Sequence, residues 1–150
     1  MVPGNHDYYR GWSSRSELTK SFKREIRPNV FCCNNTVMRL SNVEVICSTL
    51  WSEIRPEHAF AVAKGLLDFR AISIGNSSMS VDDYKWIHQE CLRFIHKAVT
   101  SSTAEKIIVV THHLPSYSVL ADVFKGSTLN SGFVTELGNW IADRDRKSVV

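Results

Sequence analysis

The run Lys106–Thr111, "KIIVVT", constrains this chain more than any other segment. It offers β-branched residues without polar alternation, which fits a strand buried on both faces. Such a strand needs neighbours on each side and covering layers, so it rules out a simple helical bundle. Its C-terminal end carries His112-His113, at the strand edge where ligands gather in open α/β sheets. Tandem histidines at that position are hard to explain by packing alone.

The remaining periodicities supply helices and strands in alternation. Ser14-Arg15-Ser16-Glu17 reads as a capping box. Leu18, Phe22 and Ile26 then recur every four residues, predicting a helix that Pro28 stops. Strands are expected at residues 30–33, 36–40 and 43–50, with Ser41-Asn42 as the turn between the last two. Residues 56–67 read as a short helix, and residues 69–74 as a strand ended by Gly75-Asn76-Ser77-Ser78. Ser80 caps a long helix with Tyr84, Ile87, Cys91, Phe94, Ile95 and Ala98 on one face. A last helix is expected near residues 134–143, with Phe133, Leu137, Trp140 and Ile141 inward, and "RKSVV" reads as the start of another strand. The pattern predicts an α/β layered architecture.

At 150 residues the length suits one domain, and 43% hydrophobic with 22% charged residues excludes disorder or a fibre. The net charge of +3 sits wholly within the first 28 residues, where six cations (Arg10, Arg15, Lys20, Lys23, Arg24, Arg27) outnumber Asp7, Glu17 and Glu25. This reads as a solvated helix face, with steering of anionic substrates as the alternative; it is not the basic stripe of a nucleic-acid binder. Cys32, Cys33, Cys47 and Cys91 form no C-x-x-C pair and lie in apolar stretches, as core residues do. With no signal peptide and no membrane-length apolar run, a reducing, cytoplasmic setting is expected.

The densest chemistry is Gly4-Asn5-His6-Asp7. Glycine permits a sharp exit from a strand, and an asparagine carbonyl suits a harder divalent metal. An imidazole next to it can reach a substrate while the aspartate holds its tautomer. Asp7 and His112 lie 105 residues apart, so only a sheet could join them.

The blocks "GNHD" at residues 4–7 and "VVTHHLPS" at residues 109–116 resemble two motifs of the calcineurin-like metallophosphoesterases, in a cytoplasmic predicted-phosphohydrolase branch. "STLW" at 48–51 and "LLDFRAI" at 66–72 resemble segments between them. The family's D-x-H, G-D-x-x-D and G-H-x-H blocks are absent. The resemblance therefore implies residues 1–150 as the central part of one domain, a partial four-layer α/β/β/α sandwich lacking its first and last strands. It implies hydrolysis of a phosphoester, as phosphatase or phosphodiesterase, by a hydroxide held between two divalent ions (Mn, Fe, Zn or Co). By motif, Asn5 and His112 are ligands of one metal, and His6 is the proton donor oriented by Asp7. With ligands mainly for one ion, this chain alone is expected to bind metal weakly and to lack activity.

His113, Arg70 and Tyr8 are candidates for substrate contact or for support behind the ligands, Arg70 through a bidentate phosphate contact. Tyr9, Trp51 and Ser116 could also line a pocket, although packing and turn formation account for them as well. Trp86 and Trp140 read as core, and His58, His88 and His96 as structural or solvated. The expected partner is a small phosphoester, with no nucleic-acid signature, no membrane segment and no indication of oligomeric state. A non-catalytic protein-binding module on the same fold, or an inactive remnant, are the competing readings.

Overall fold

The computed structural model describes residues 1–9 and 12–146. A 3₁₀ turn, Asn5–Tyr8, comes first, followed by β1 (Trp12–Ser13), α1 (Arg15–Leu18), β2 (Phe22–Arg27) and β3 (Val30–Asn34). Then come β4 (Thr36–Leu40), β5 (Val43–Ser48), a 3₁₀ turn at Pro56–His58, α2 (Ala59–Gly65) and α3 (Asp68–Ala71). The rest comprises β6 (Ser73–Ile74), β7 (Ser77–Ser78), α4 (Val81–Ser101), β8 (Lys106–Thr111), three further 3₁₀ turns and α5 (Gly138–Arg146). The architecture is mixed α/β. Three small sheets are present among the described residues, ordered β4-β5-β8, β2-β3 and β1-β6-β7.

In the sheet that organises the fold, β4 runs antiparallel to β5, and β5 runs parallel to β8 with Ser48 opposite Thr111. The β4–β5 turn is the expected one, with Ser41 in the left-handed region at φ 55°. α4 covers one face through Ile46, Leu50, Ile95 and Ala98. Its start follows from the sequence. Ser80 Oγ accepts from Asp83 N, and Asp83 returns a carboxylate oxygen to Ser80 N. Trp51, Tyr84, Ile87 and Cys91 belong to a larger cluster, closed by Leu18, Val62, Phe69 and Ile72. All four cysteines are free and buried. No helix among the described residues is long and apolar enough to cross a membrane.

Several expectations are corrected. The helix predicted from Ser14 to Pro28 lasts four residues, although its capping box forms, and Phe22–Arg27 is a strand paired with β3. The reason lies in two later residues. Asn34 Nδ2 donates to the carbonyls of Leu18 and Lys20, and Asn35 Nδ2 to that of Thr19. These bonds satisfy the carbonyls where the chain leaves the turn, so the helix can end there without orphaned acceptors. The basic excess thus lies partly on exposed β2, where Lys23 Nζ stands 4.3 Å from the Phe31 ring centroid; Arg10 lies outside the described residues.

Residues 69–74 are α3 followed by a two-residue strand. Phe69 and Ile72 are both buried, and their i, i+3 spacing is helical; a short apolar run does not reveal its own period. In the last helix, Leu137 and Trp140 pack inward, whereas Phe133 and Ile141 are exposed. The strand expected at "RKSVV" falls outside the described residues apart from Arg146, which ends α5.

β8 is a strand, but it is not buried on both faces. Ile107, Ile108 and Val109 are 38%, 52% and 41% exposed, because β5 is its one strand neighbour among the described residues. We therefore expect Ile46→Ala, at a fully buried site on β5, to lower the unfolding free energy by about 3 kcal/mol. Ile108→Ala should cost less than about 1 kcal/mol. Urea unfolding of the two variants checks the ranking, and equal losses would contradict the exposed edge.

Candidate functional site

The first three residues lie along β3: the Met1 amino group donates to Phe31 O, and Cys33 N donates to Met1 O at 3.0 Å. Thr49, just beyond β5, then ties both chemical motifs to one place. Its hydroxyl donates to Pro3 O at 3.0 Å, and its carbonyl accepts from His113 N at 3.2 Å. Buried Asn34 holds Thr49 in turn, its Oδ1 accepting from Thr49 N. The next two residues, Leu50 and Trp51, both have positive φ, 68° and 47°. Two non-glycine residues in that region are strained, as is common where surroundings dictate a functional turn.

Asn5 and His112 meet there. His112 Nε2 lies 3.1 Å from Asn5 Oδ1. The orientation of the Asn5 amide follows from chemistry: its other end lies 2.7 Å from Asp68 Oδ1, and an ionised carboxylate only accepts, so the Asp68 side is Nδ2. Tyr9 donates its hydroxyl to the same oxygen at 2.5 Å. Burial, and then the Asp68 bond, push the Tyr9 hydroxyl up, which keeps it a donor. Gly4 is required by this approach. A Cβ built there would stand 2.7 Å from His112 Cε1, closer than packed atoms allow.

His6 is exposed and lies against Tyr9, with ring centroids 4.6 Å apart. Asp7 closes the turn through Oδ2, which accepts from Gly4 N at 2.8 Å. Its carboxylate therefore serves the backbone of the motif. Tyr8 packs toward Trp51 at 5.9 Å, and burial pushes its hydroxyl up to about 12, with Thr49 working against that. Beside this turn is a cleft of about 500 Å³ bordered by Asp7, Tyr8, Lys20 and Arg24.

The two tandem histidines differ. His112 is half-accessible, and burial lowers its pKa against the pull of Asp7, with His6 adding to the lowering. His113 is buried, stacked on Trp51 at 5.6 Å and edge-on to Tyr84. Burial drives its pKa down to about 3, with His112 and His88 adding repulsion and the Gly132 backbone offsetting part of it. It is a neutral ring behind His112. Arg70 points elsewhere: its Nη1 donates to Lys64 O at the end of α2. His88 is structural, its Nδ1 3.1 Å from Leu50 O. His96 stacks on Trp140.

Sequence reasoning missed Asp68. It is 2% exposed, holds Asn5 and Tyr9 by one oxygen, and has no protein partner for Oδ2. A lone carboxylate inside the apolar run "LLDFRAI" was the available signal, because such a group is seldom buried without a task.

Two ligands on adjacent positions of one ion, each about 2.1 Å from it, stand roughly 3.0–3.4 Å apart. The 3.1 Å between Asn5 Oδ1 and His112 Nε2 lies in that range and is equally the length of the hydrogen bond that joins them here. No group of three or more His, Cys, Asp or Glu residues is placed to hold a metal among the described residues.

No protein-family profile matches the chain, and no solved structure matches it. It is 26% identical over 158 residues to "Uncharacterized protein L509" of Acanthamoeba polyphaga mimivirus, an alignment covering 99% of this chain and 55% of the viral protein. The chain thus spans about half the length of that relative.

Proposed function

We propose that this chain is the central part of a calcineurin-like metallophosphoesterase domain, with the four-layer sandwich of that family, acting on a phosphoester substrate. The observation that carries the reading is the contact between Asn5 Oδ1 and His112 Nε2 across 107 residues of sequence. Two motifs recognised separately come together in the pairing that one metal site requires. Asn5 and His112 hold one divalent ion of a pair (Mn, Fe, Zn or Co), with Asp68 fixing the Asn5 amide behind them. When bound, the ions supply Lewis-acid activation of the phosphoryl group and of water.

His6 is the proton donor to the leaving oxygen. It is exposed to an incoming substrate and supported by Tyr9. Asp7 preserves the turn that presents it, through the Gly4 amide. His113 packs behind His112 and keeps its ring in place.

Manganese titration by calorimetry tests this reading. We expect weak single-site binding that Asn5→Ala and His112→Ala each abolish, and no hydrolysis of a chromogenic phosphodiester by this chain alone. Binding that survives both substitutions would remove the basis for the metal site.

A further inference from the structure

A second cavity, of about 290 Å³, lies between the Pro56–His58 turn and the loop at residues 117–130. None of Asn5, His6, Asp7 and His112 lines it. Its charged lining is of one sign: Arg55 and Lys125 border it, together with His58, and no carboxylate does. Two acidic groups lie at its margin, and each is already bonded. Glu136 accepts from Ser116 Oγ, Tyr117 N and Gly138 N. Asp122 pairs with Lys125 at 2.5 Å, but on an exposed surface, 92% accessible on the acid's side, where such a pair is weak and easily exchanged.

The lining is also built to donate. The Arg55 guanidinium carbon stands 5.3 Å from the Tyr117 ring centroid. An aromatic face steadies a guanidinium without consuming its N–H groups. Ser127 Oγ accepts from Leu129 N, which leaves its hydroxyl hydrogen to give, and Thr128 adds a second hydroxyl to the lining. Asn130 holds this loop in shape, its Nδ2 donating to Phe124 O at 2.7 Å and its N–H to Ser127 O. Gly126 turns the chain at φ 85°, with open space where a side chain would lie. His58 Nδ1 is shielded from solvent and has no protein partner.

We propose that this cavity is a binding site for a phosphate group, either the free ion or the terminus of a small monoester. Arg55 supplies the planar fork that matches two phosphate oxygens, and Lys125 supplies a point charge. Ser127 and Thr128 give hydroxyl hydrogens. The volume, at the low end for ligand pockets, favours a small molecule over a polymer. The inference does not depend on the metal site.

Amide NMR of the full chain, titrated with sodium phosphate at constant ionic strength, tests it. We expect saturable shifts at Gly126, Ser127 and Thr128, roughly tenfold weaker binding in Arg55→Gln, and a smaller loss in Lys125→Gln. Both side chains are exposed, so the variants should keep the wild-type spectrum elsewhere. Asn5→Ala and His112→Ala should bind phosphate as the wild type does, which separates this site from the metal site. A parallel titration with glycerol phosphate distinguishes the ligands: tighter binding than inorganic phosphate identifies a monoester site, and weaker binding a site for the free ion. Shifts that never saturate, or that are the same in Arg55→Gln as in wild type, would overturn the proposal.

Discussion

Asp68→Ala is expected to lower the unfolding free energy by about 3 kcal/mol, among the larger losses available to a single polar residue here. The carboxylate accepts from Asn5 Nδ2 and Tyr9 Oη in a buried setting. Bonds to a charged acceptor contribute about 1.5–3 kcal/mol each, partly offset by the cost of burying the charge. Alanine would leave the Asn5 amide buried without that partner, and the partly buried Tyr9 hydroxyl would lose its acceptor. Asp68→Asn separates stability from function. Its carbonyl can still accept, so stability should stay within about 1 kcal/mol of wild type. An amide, however, presents a donor as readily as an acceptor, and so no longer dictates which end of Asn5 faces His112. Manganese affinity should then fall roughly 10- to 100-fold, as it does when groups behind metal ligands are altered. Urea unfolding and manganese titration of both variants provide the check. A stable Asp68→Ala chain, or an Asp68→Asn chain with undiminished affinity, would exclude this role.

Between about pH 7 and pH 5 the chain should lose about 2 kcal/mol of stability through His113 alone. The folded ring has its pKa driven down to about 3 from an ordinary 6.5, chiefly by burial. Between those values the unfolded chain binds a proton that the folded chain refuses, so stability is complete above about pH 6.5 and drains away as the pH falls. His88 and His112, both lowered by burial, act in the same direction. Asp83 is held low despite burial by bonds from Ser80 and Arg15, and Glu136 by the amides of Tyr117 and Gly138. These carboxylates lose their contribution only at lower pH, so the range above pH 5 isolates the histidines. His113→Phe keeps the stacking on Trp51 and removes the titration; its unfolding midpoint should vary less with pH. An unchanged slope in that variant would mean that His113 is not the buried neutral ring described here.

Two short motifs name Asn5 and His112, and the structure brings these side chains within 3.1 Å of each other. The glycine of the first motif has a reason that no motif states, since His112 occupies the space its side chain would need. Arg70 has the chemistry for a phosphate contact, but it lies on a short helix where its guanidinium donates to Lys64 O. Asp68 belongs to no motif, and its role follows only from the fold, which brings Asn5 and Tyr9 to its carboxylate.

Local signals held wherever the decisive partners are close in sequence. Both serine capping boxes, the turn at Ser41-Asn42 and the apolar face of α4 depend on residues within a few positions of each other, and all of them form. The tertiary structure decided the matters that distant residues control. Whether Leu18–Ile26 continues as a helix depends on Asn34 and Asn35 satisfying the carbonyls where the chain leaves the turn. Whether Ile108 is buried depends on strands beside it, not on its own hydrophobicity. Residue types and short spacings name the chemistry a chain can carry; the hydrogen-bond partners and the buried faces are chosen only when segments far apart in sequence compete for the same donors, acceptors and space.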